Sequence, residues 1–246
     1  MDMEKEIKFF EDNGFVIIRD FISDDLHTQL IDTCDRLYNN RPLEGNDRYV
    51  YNSNGTMNKI QGAFDYEPLF FELAHNKKLT EFAKKITGSE VGIDTYISKF
   101  FPMVPGGGES TFFHQDGYYF QEQLDKKDLV SCAIYLQDTN VDNGCLRVAK
   151  GSHKNNIVYP HQVDSGMEGI KWIDDSVVNQ FEIYDFIEKG PYAVFFDVLA
   201  IHGCYVNNSD TTRYSLAWEY VDSNNNSPCA CRQEEHETWC DRKRIL

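Results

Sequence analysis

A histidine and an aspartate separated by one residue, His114-Gln115-Asp116, are followed far downstream by His202 and then by Arg213. Two imidazoles and one carboxylate are the ligand set that holds Fe(II) while leaving coordination positions open. The keto-acid end of a 2-oxo acid can take two of those positions, with one left for dioxygen. If that acid is 2-oxoglutarate, its far carboxylate needs a fixed cation, and arginine offers a planar, two-pronged donor. The pieces are weak singly. A His-x-Asp tripeptide arises often by chance, a lone arginine on a strand is ordinarily a surface or ion-pair residue, and His27, His75, His153, His161 and His236 lie mostly in polar surroundings. The joint order is what points to a metal centre with an acid anchor.

The elements that must carry these residues are readable in outline. Lys5 to Asp12 has the apolar spacing of a short helix, ended by Asn13-Gly14, and Phe15 to Ile18 follows as a strand. Ser23-Asp24-Asp25 supplies an N-cap and first-turn acids for a helix through Leu37. Asn39 to Gly55 is polar and irregular; Glu67 to Ile86 is helical, broken near His75-Asn76 and stopped by Gly88. Beyond Gly88 the pattern turns to short strands: Val91 to Phe101, Thr111 to Phe120, Leu129 to Gln137, Cys145 to Ala149 after the Asp142-Asn143-Gly144 turn, Phe181 to Ile187, Tyr192 to Phe196, and Arg213 to Val221. Alternation along a strand puts His114 and Asp116 on one face and Gln115 on the other. His202 falls at a strand start, and a hairpin would return Arg213 beside it. The expected architecture is one domain, mainly β with helical additions. A helix-rich part (1–90) packs on a jelly-roll, double-stranded β-helix core (91–222), and a tail (223–246) follows. Ile157 to Gln180, polar and rich in turn residues, is either a lid over the site or a passive surface loop.

Composition narrows the partners. The 246 residues carry 24 basic and 40 acidic side chains, a net charge of -16. That disfavours sequence-independent nucleic-acid binding and anionic membrane surfaces. No run approaches the length of a membrane span, and the charged start MDMEKEIKFF does not read as a signal peptide. The seven cysteines are then expected as free thiols in a reducing cytosol. Cys229, Cys231, Cys240 and His236 crowd the tail without the spacing of a zinc finger. A small-molecule substrate and a cytoplasmic location are the expectation.

Three stretches, FFHQDGYYF (Phe112 to Phe120), DNGCLRVAKGSHK (Asp142 to Lys154) and IHGCYVNNSDTTRYSL (Ile201 to Leu216), resemble the phytanoyl-CoA dioxygenase family of Fe(II)/2-oxoglutarate oxygenases. The opening FFEDNGFVIIRDFIS (Phe9 to Ser23) is similar to that family as well, so the likeness runs to about Val221. The resemblance implies that His114, Asp116 and His202 bind iron and that Arg213 holds the distal carboxylate of 2-oxoglutarate. It places Lys59 and Tyr96 near the cosubstrate, with Lys99 as an alternative cation. Where some members carry a tryptophan in the cosubstrate pocket, this chain has Ala133, which implies a differently shaped pocket. Phe113, Tyr118 and Tyr119 flank the metal motif as candidate substrate contacts. His153, in the Gly151-Ser152-His153 segment, reads as scaffold. The implied activity is hydroxylation or another oxidation of a C–H bond, with release of succinate and carbon dioxide. Asp116 stands where halogenases of this class carry a small residue, which disfavours halogenation. Two other classes compete: a non-catalytic metal- or ligand-binding jelly roll, and a cupin-like metalloenzyme that does not use 2-oxoglutarate.

Overall fold

The computed structural model describes residues 3–46, 48–52, 54–106, 112–120, 125–163, 171–225 and 242–245. Along the chain lie α1 (Met3–Asn13), β1 (Phe15–Ile18), α2 (Asp24–Asn39), β2 (Tyr49–Tyr51), β3 (Met57–Gln61), α3 (Ala63–Tyr66), α4 (Pro68–Ala74) and α5 (Lys77–Thr87). Next come β4 (Ile93–Met103), β5 (Leu129–Tyr135), β6 (Leu146–Ala149), β7 (His161–Val163), β8 (Lys171–Ile173), α6 (Asp175–Val178), β9 (Ile183–Asp185), β10 (Tyr192–Phe196), β11 (His202–Cys204), β12 (Arg213–Asp222) and β13 (Lys243–Arg244).

The helix ends follow local chemistry. The Ser23 hydroxyl accepts the Leu26 N–H at 3.2 Å and starts α2. The Asn76 side chain accepts from the N–H groups of Lys78 and Leu79, so α4 stops and α5 begins at His75-Asn76. Gly88 takes the left-handed conformation, φ 67°, that ends α5.

Among the described residues the strands form a large sheet, ordered β1-β10-β5-β12-β4-β3-β2 with β13 also on β4, a small sheet, β11-β6-β9, and a separate β7-β8 pair; the large and small sheets build the core. The two face each other as a double-stranded β-helix. The large sheet's alternation sorts its side chains cleanly. Val130, Cys132 and Ile134 of β5, with Tyr214, Leu216, Trp218 and Tyr220 of β12, point outward against Leu30 and Cys34 of α2, Phe70 of α4 and Phe82 of α5. Full burial of each such large side chain contributes about 1.5–3 kcal/mol. The opposite face of β5 and β12, carrying Ala133, Tyr135 and Ala217, meets Leu146 and Val148 of the small sheet.

The expected strand Phe15–Ile18 pairs with β10. Two expectations need correction. Tyr49–Tyr51, inside the stretch expected to be irregular, is a strand: it pairs with β3, which in turn pairs with β4. Thr111 to Phe120 is not a continuous strand. His114 forms a single bridge to His202, and Asp116–Tyr118 is a 3-10 turn. No helix among the described residues is long and apolar enough to cross a membrane. Cys34, Cys132, Cys145 and Cys204 are free thiols. The cysteine- and histidine-bearing tail, 229–240, lies outside the described residues.

The Asp142-Asn143-Gly144 turn is tightly set. Gly144 has φ 81°, and a Cβ there would lie 2.3 Å from Met103 Sδ and 2.8 Å from the Tyr205 carbonyl oxygen. Gly144→Ala should therefore lower unfolding stability by about 1–3 kcal/mol in urea titrations. A loss under a few tenths of a kcal/mol would show that the turn relaxes.

Candidate metal centre and acid anchor

His114 and His202 exchange both backbone hydrogen bonds, each at 2.9 Å. Such a pair places the two side chains on the same face, and their ring centroids are 4.3 Å apart. Asp116 reaches them because the 3-10 turn folds it back, with Gly117 N–H donating to the Val198 carbonyl at 2.7 Å. The sequence argument from strand alternation thus named the right neighbours for the wrong reason. Asp116 Oδ1 lies 3.8 Å from His114 Nε2 and 3.7 Å from His202 Nε2. These separations exceed a hydrogen bond, and they suit ligand atoms each about 2 Å from one ion, which lie at most about 4 Å apart.

The remaining atoms of the trio are already occupied. His114 Nδ1 lies 2.9 Å from the Phe112 carbonyl oxygen, and His202 Nδ1 lies 3.0 Å from that of Ala200. Both Nδ1 atoms therefore carry the proton, and both Nε2 lone pairs face the shared point. The Ser131 hydroxyl donates to Asp116 Oδ2 at 2.6 Å, leaving Oδ1 for a metal. Burial, helped by His202, pushes His114 down to about 3, so its imidazole stays neutral. For Asp116, burial opposes ionisation, but His202, Lys99, His114 and the Ser131 hydrogen bond together hold its carboxyl below the usual range. Two imidazole Nε2 atoms and one carboxylate oxygen thus converge on one point, and a divalent ion fits that donor set.

Gln115, between the ligands, is fully buried. Its amide donates to the carbonyls of Ile157 (3.0 Å) and Leu199 (2.6 Å), and its Oε1 accepts the Tyr159 N–H at 2.7 Å. Its own N–H donates to His161 Nε2. One side chain thereby ties the metal segment to the loop before His202 and to the start of the Ile157–Gln180 insert. That insert is packed down: Ile173 N–H donates to the Phe113 carbonyl, and His161 stacks on Tyr118 at 4.0 Å. Its tip, 164–170, lies outside the described residues.

Arg213 does not return beside His202 by a hairpin. It begins β12 in the large sheet, whereas His202 begins β11 in the small one, so the link crosses between layers. Arg213 is 3% exposed. Its Nε donates to the Asn143 carbonyl (3.1 Å), Nη2 to that of Gly144 (3.0 Å) and Nη1 to Ser215 Oγ (3.2 Å). Its guanidinium lies over the Tyr135 ring, 4.9 Å from the centroid. No carboxylate pairs with it among the described residues.

Ser131, Ala133 and Tyr135 alternate on the inner face of β5, so the Asp116 holder and the Arg213 platform are four residues apart, about 13 Å. Between them the floor is small: Ala133 faces Ala217 across the strands, and Ser215 faces Tyr135. Lys99 shares this face, opposite Ala217 on one side and Gln61 on the other. Lys59, two residues before Gln61, lies on the same side of β3. Tyr96 is fully buried opposite Glu219. Its hydroxyl is 3.5 Å from Arg242 Nη1, and its ring packs among Phe120, Leu129, Val198 and Leu199.

A family model for phytanoyl-CoA dioxygenase (PhyH) matches residues 10–215. The chain belongs to the PhyH family. Relatives include the peroxisomal phytanoyl-CoA dioxygenase of Bos taurus, 26% identical over 236 residues (88% of this chain, 68% of that protein). The ectoine dioxygenase of Bordetella bronchiseptica is 22% identical over 230 residues (87% and 74%). Among solved structures, EctD from S. alaskensis with 2-oxoglutarate and 5-hydroxyectoine superposes with TM-score 0.76 at 17% identity, covering 94% of this chain and 80% of that one. The epimerase SnoN from nogalamycin biosynthesis gives 0.70 at 16% identity (90% and 83%). These likenesses show the fold to be that of the 2-oxoglutarate oxygenases.

Within the PhyH frame, several groups were invisible to motif reading. Ser131 and Gln115 act by hydrogen bonds that only the packed loops reveal. Glu219 had a signal: it stands six residues after Arg213 on the same inward face of an otherwise apolar strand. Of the flanking aromatics, Tyr119 meets the His114 ring edge-on at 6.0 Å, whereas Phe113 packs with Ile173, Val178 and Ile201 away from the metal point. His153 is scaffold, its Nε2 3.0 Å from the Glu11 carbonyl oxygen of α1. A cleft of about 400 Å³, lined partly by Phe112, Arg147, Trp172 and Tyr205, opens beside the bridge, and no metal ligand lines it.

Gln115→Ala should remove three side-chain hydrogen bonds and cost on the order of 3 kcal/mol. It should also shrink the rise in Tm that Mn(II) gives. An undiminished metal-induced rise would show that Gln115 does not orient the ligands.

Proposed function

We propose that this protein is an Fe(II)- and 2-oxoglutarate-dependent dioxygenase that oxidises a C–H bond of a small organic molecule. The observation that carries this reading is the buried Arg213 cation, with which no carboxylate pairs among the described residues, on the inner face of the large sheet beyond small residues from the His114-Asp116-His202 trio. A buried charge without a counter-ion is costly unless a ligand supplies one. A dicarboxylate chelating at the trio would place its second carboxylate there.

In this reading His114 Nε2, His202 Nε2 and Asp116 Oδ1 hold the iron, and Ser131 keeps Asp116 monodentate. Arg213 binds the distal carboxylate of 2-oxoglutarate, with Ser215 and the Tyr135 ring fixing its plane. Ala133 and Ala217 leave room for the carbon chain, and Lys59 and Lys99 add positive charge along the same face. The chemistry supplied by iron with 2-oxoglutarate and dioxygen is oxidation of a C–H bond, with release of succinate and carbon dioxide. The protein contributes placement and exclusion of water. The PhyH membership favours this over a metalloenzyme that does not use 2-oxoglutarate.

Protein incubated with Fe(II), 2-oxoglutarate and oxygen should form succinate, slowly even without a primary substrate. Asp116→Ala should abolish that formation. Arg213→Ala should raise the Kd for 2-oxoglutarate about 10- to 100-fold while Mn(II) binding persists. Unchanged 2-oxoglutarate affinity in Arg213→Ala would refute the anchor, and tight binding of both ligands without any turnover would favour a non-catalytic role.

A further inference from the structure

We propose that Glu219 is a positioning residue that serves as the counter-ion of Lys99 and thereby sets the charge the metal site presents to cations and anions. The inference rests on the proposed metal and cosubstrate roles above. Glu219 is 2% exposed, deep on the inner face of β12. It sits directly opposite Ser131, the residue that holds Asp116. Its Oε1 accepts from Lys99 Nζ at 3.2 Å, and the Lys99 side chain is itself only 18% exposed. Its Oε2 is buried without a hydrogen-bond partner. A half-satisfied buried carboxylate is unfavourable in isolation, so its neighbours must account for its presence.

Those neighbours are unusually charged. Lys59 stands on the same face from β3, Arg213 lies at the other end of β12, and Asp116 with the two histidines stands across Ser131. Lys99 Nζ reaches Glu219 directly, Glu219 pairs across the strands with Ser131, and the Ser131 hydroxyl holds Asp116. Lys99 is therefore shared between two carboxylates. With Glu219 present, the ammonium is largely neutralised from the viewpoint of a divalent ion. Without it, more of the ammonium's positive charge would act on that ion, repelling it and attracting the chelating end of a dianion. A structural strut would not produce this opposition of signs.

The experiment is isothermal titration of Mn(II), and then of 2-oxoglutarate onto the Mn(II)-loaded protein without oxygen. Glu219→Gln should weaken Mn(II) binding about tenfold and tighten 2-oxoglutarate binding. Adding Lys99→Met should return Mn(II) affinity to within about threefold of the parent, because neither charge then remains. Glu219→Asp withdraws the carboxylate by one methylene, so it should shift both constants in the same senses by less; it carries the comparison if Glu219→Gln does not fold. The proposal is overturned if the Glu219 variants weaken both ligands or neither, or if the double variant binds Mn(II) no better than Glu219→Gln. Failure of the parent protein to bind Mn(II) or 2-oxoglutarate would instead overturn the functional reading.

Discussion

The reciprocal backbone pair between His114 and His202 is the constraint on which the site depends. Two hydrogen bonds join segments 88 residues apart in sequence and fix both imidazoles on one face. Once that bridge is closed, Asp116 needs only a tight turn to complete the trio. Gln115 braces the turn from the opposite side. Its three side-chain bonds make the residue between the ligands as structural as the ligands are chemical.

The rest of the architecture keeps the bridge and the arginine apart at a set distance. His202 belongs to the small sheet and Arg213 to the large one. Helices α2, α4 and α5 pack the outer face of the large sheet, and its inner face meets the small sheet. Along that face the polar residues mark the two ends, Ser131 and Glu219 at one and Arg213 at the other, and alanines fill the middle.

Much of this was legible in the sequence, and the misses have physical causes. Leu129–Tyr135, mostly apolar and buried throughout, and Arg213–Asp222 carry their burial in their residue types. Helix ends announced themselves through Ser23, Asn76 and Gly88. The short strands at Tyr49 and Met57 did not, because their pairing with each other, and that of β3 with β4, rather than local propensity, makes them strands. Asp116 illustrates the limit of periodicity: spacing placed it near His114, but a 3-10 turn, set by a contact to Val198, aims it. Ser131 and Gln115 carry ordinary polar types at ordinary positions. Their roles arise from loops that meet only in three dimensions.

The fixed separation of the two ends has a consequence for selectivity among acids. One end is held by a hydrogen-bonded strand pair, the other by the Asn143 and Gly144 carbonyls that grip Arg213. On the proposed reading such a span is a gauge of chain length: a keto-diacid one methylene shorter would reach the metal or the guanidinium but not both.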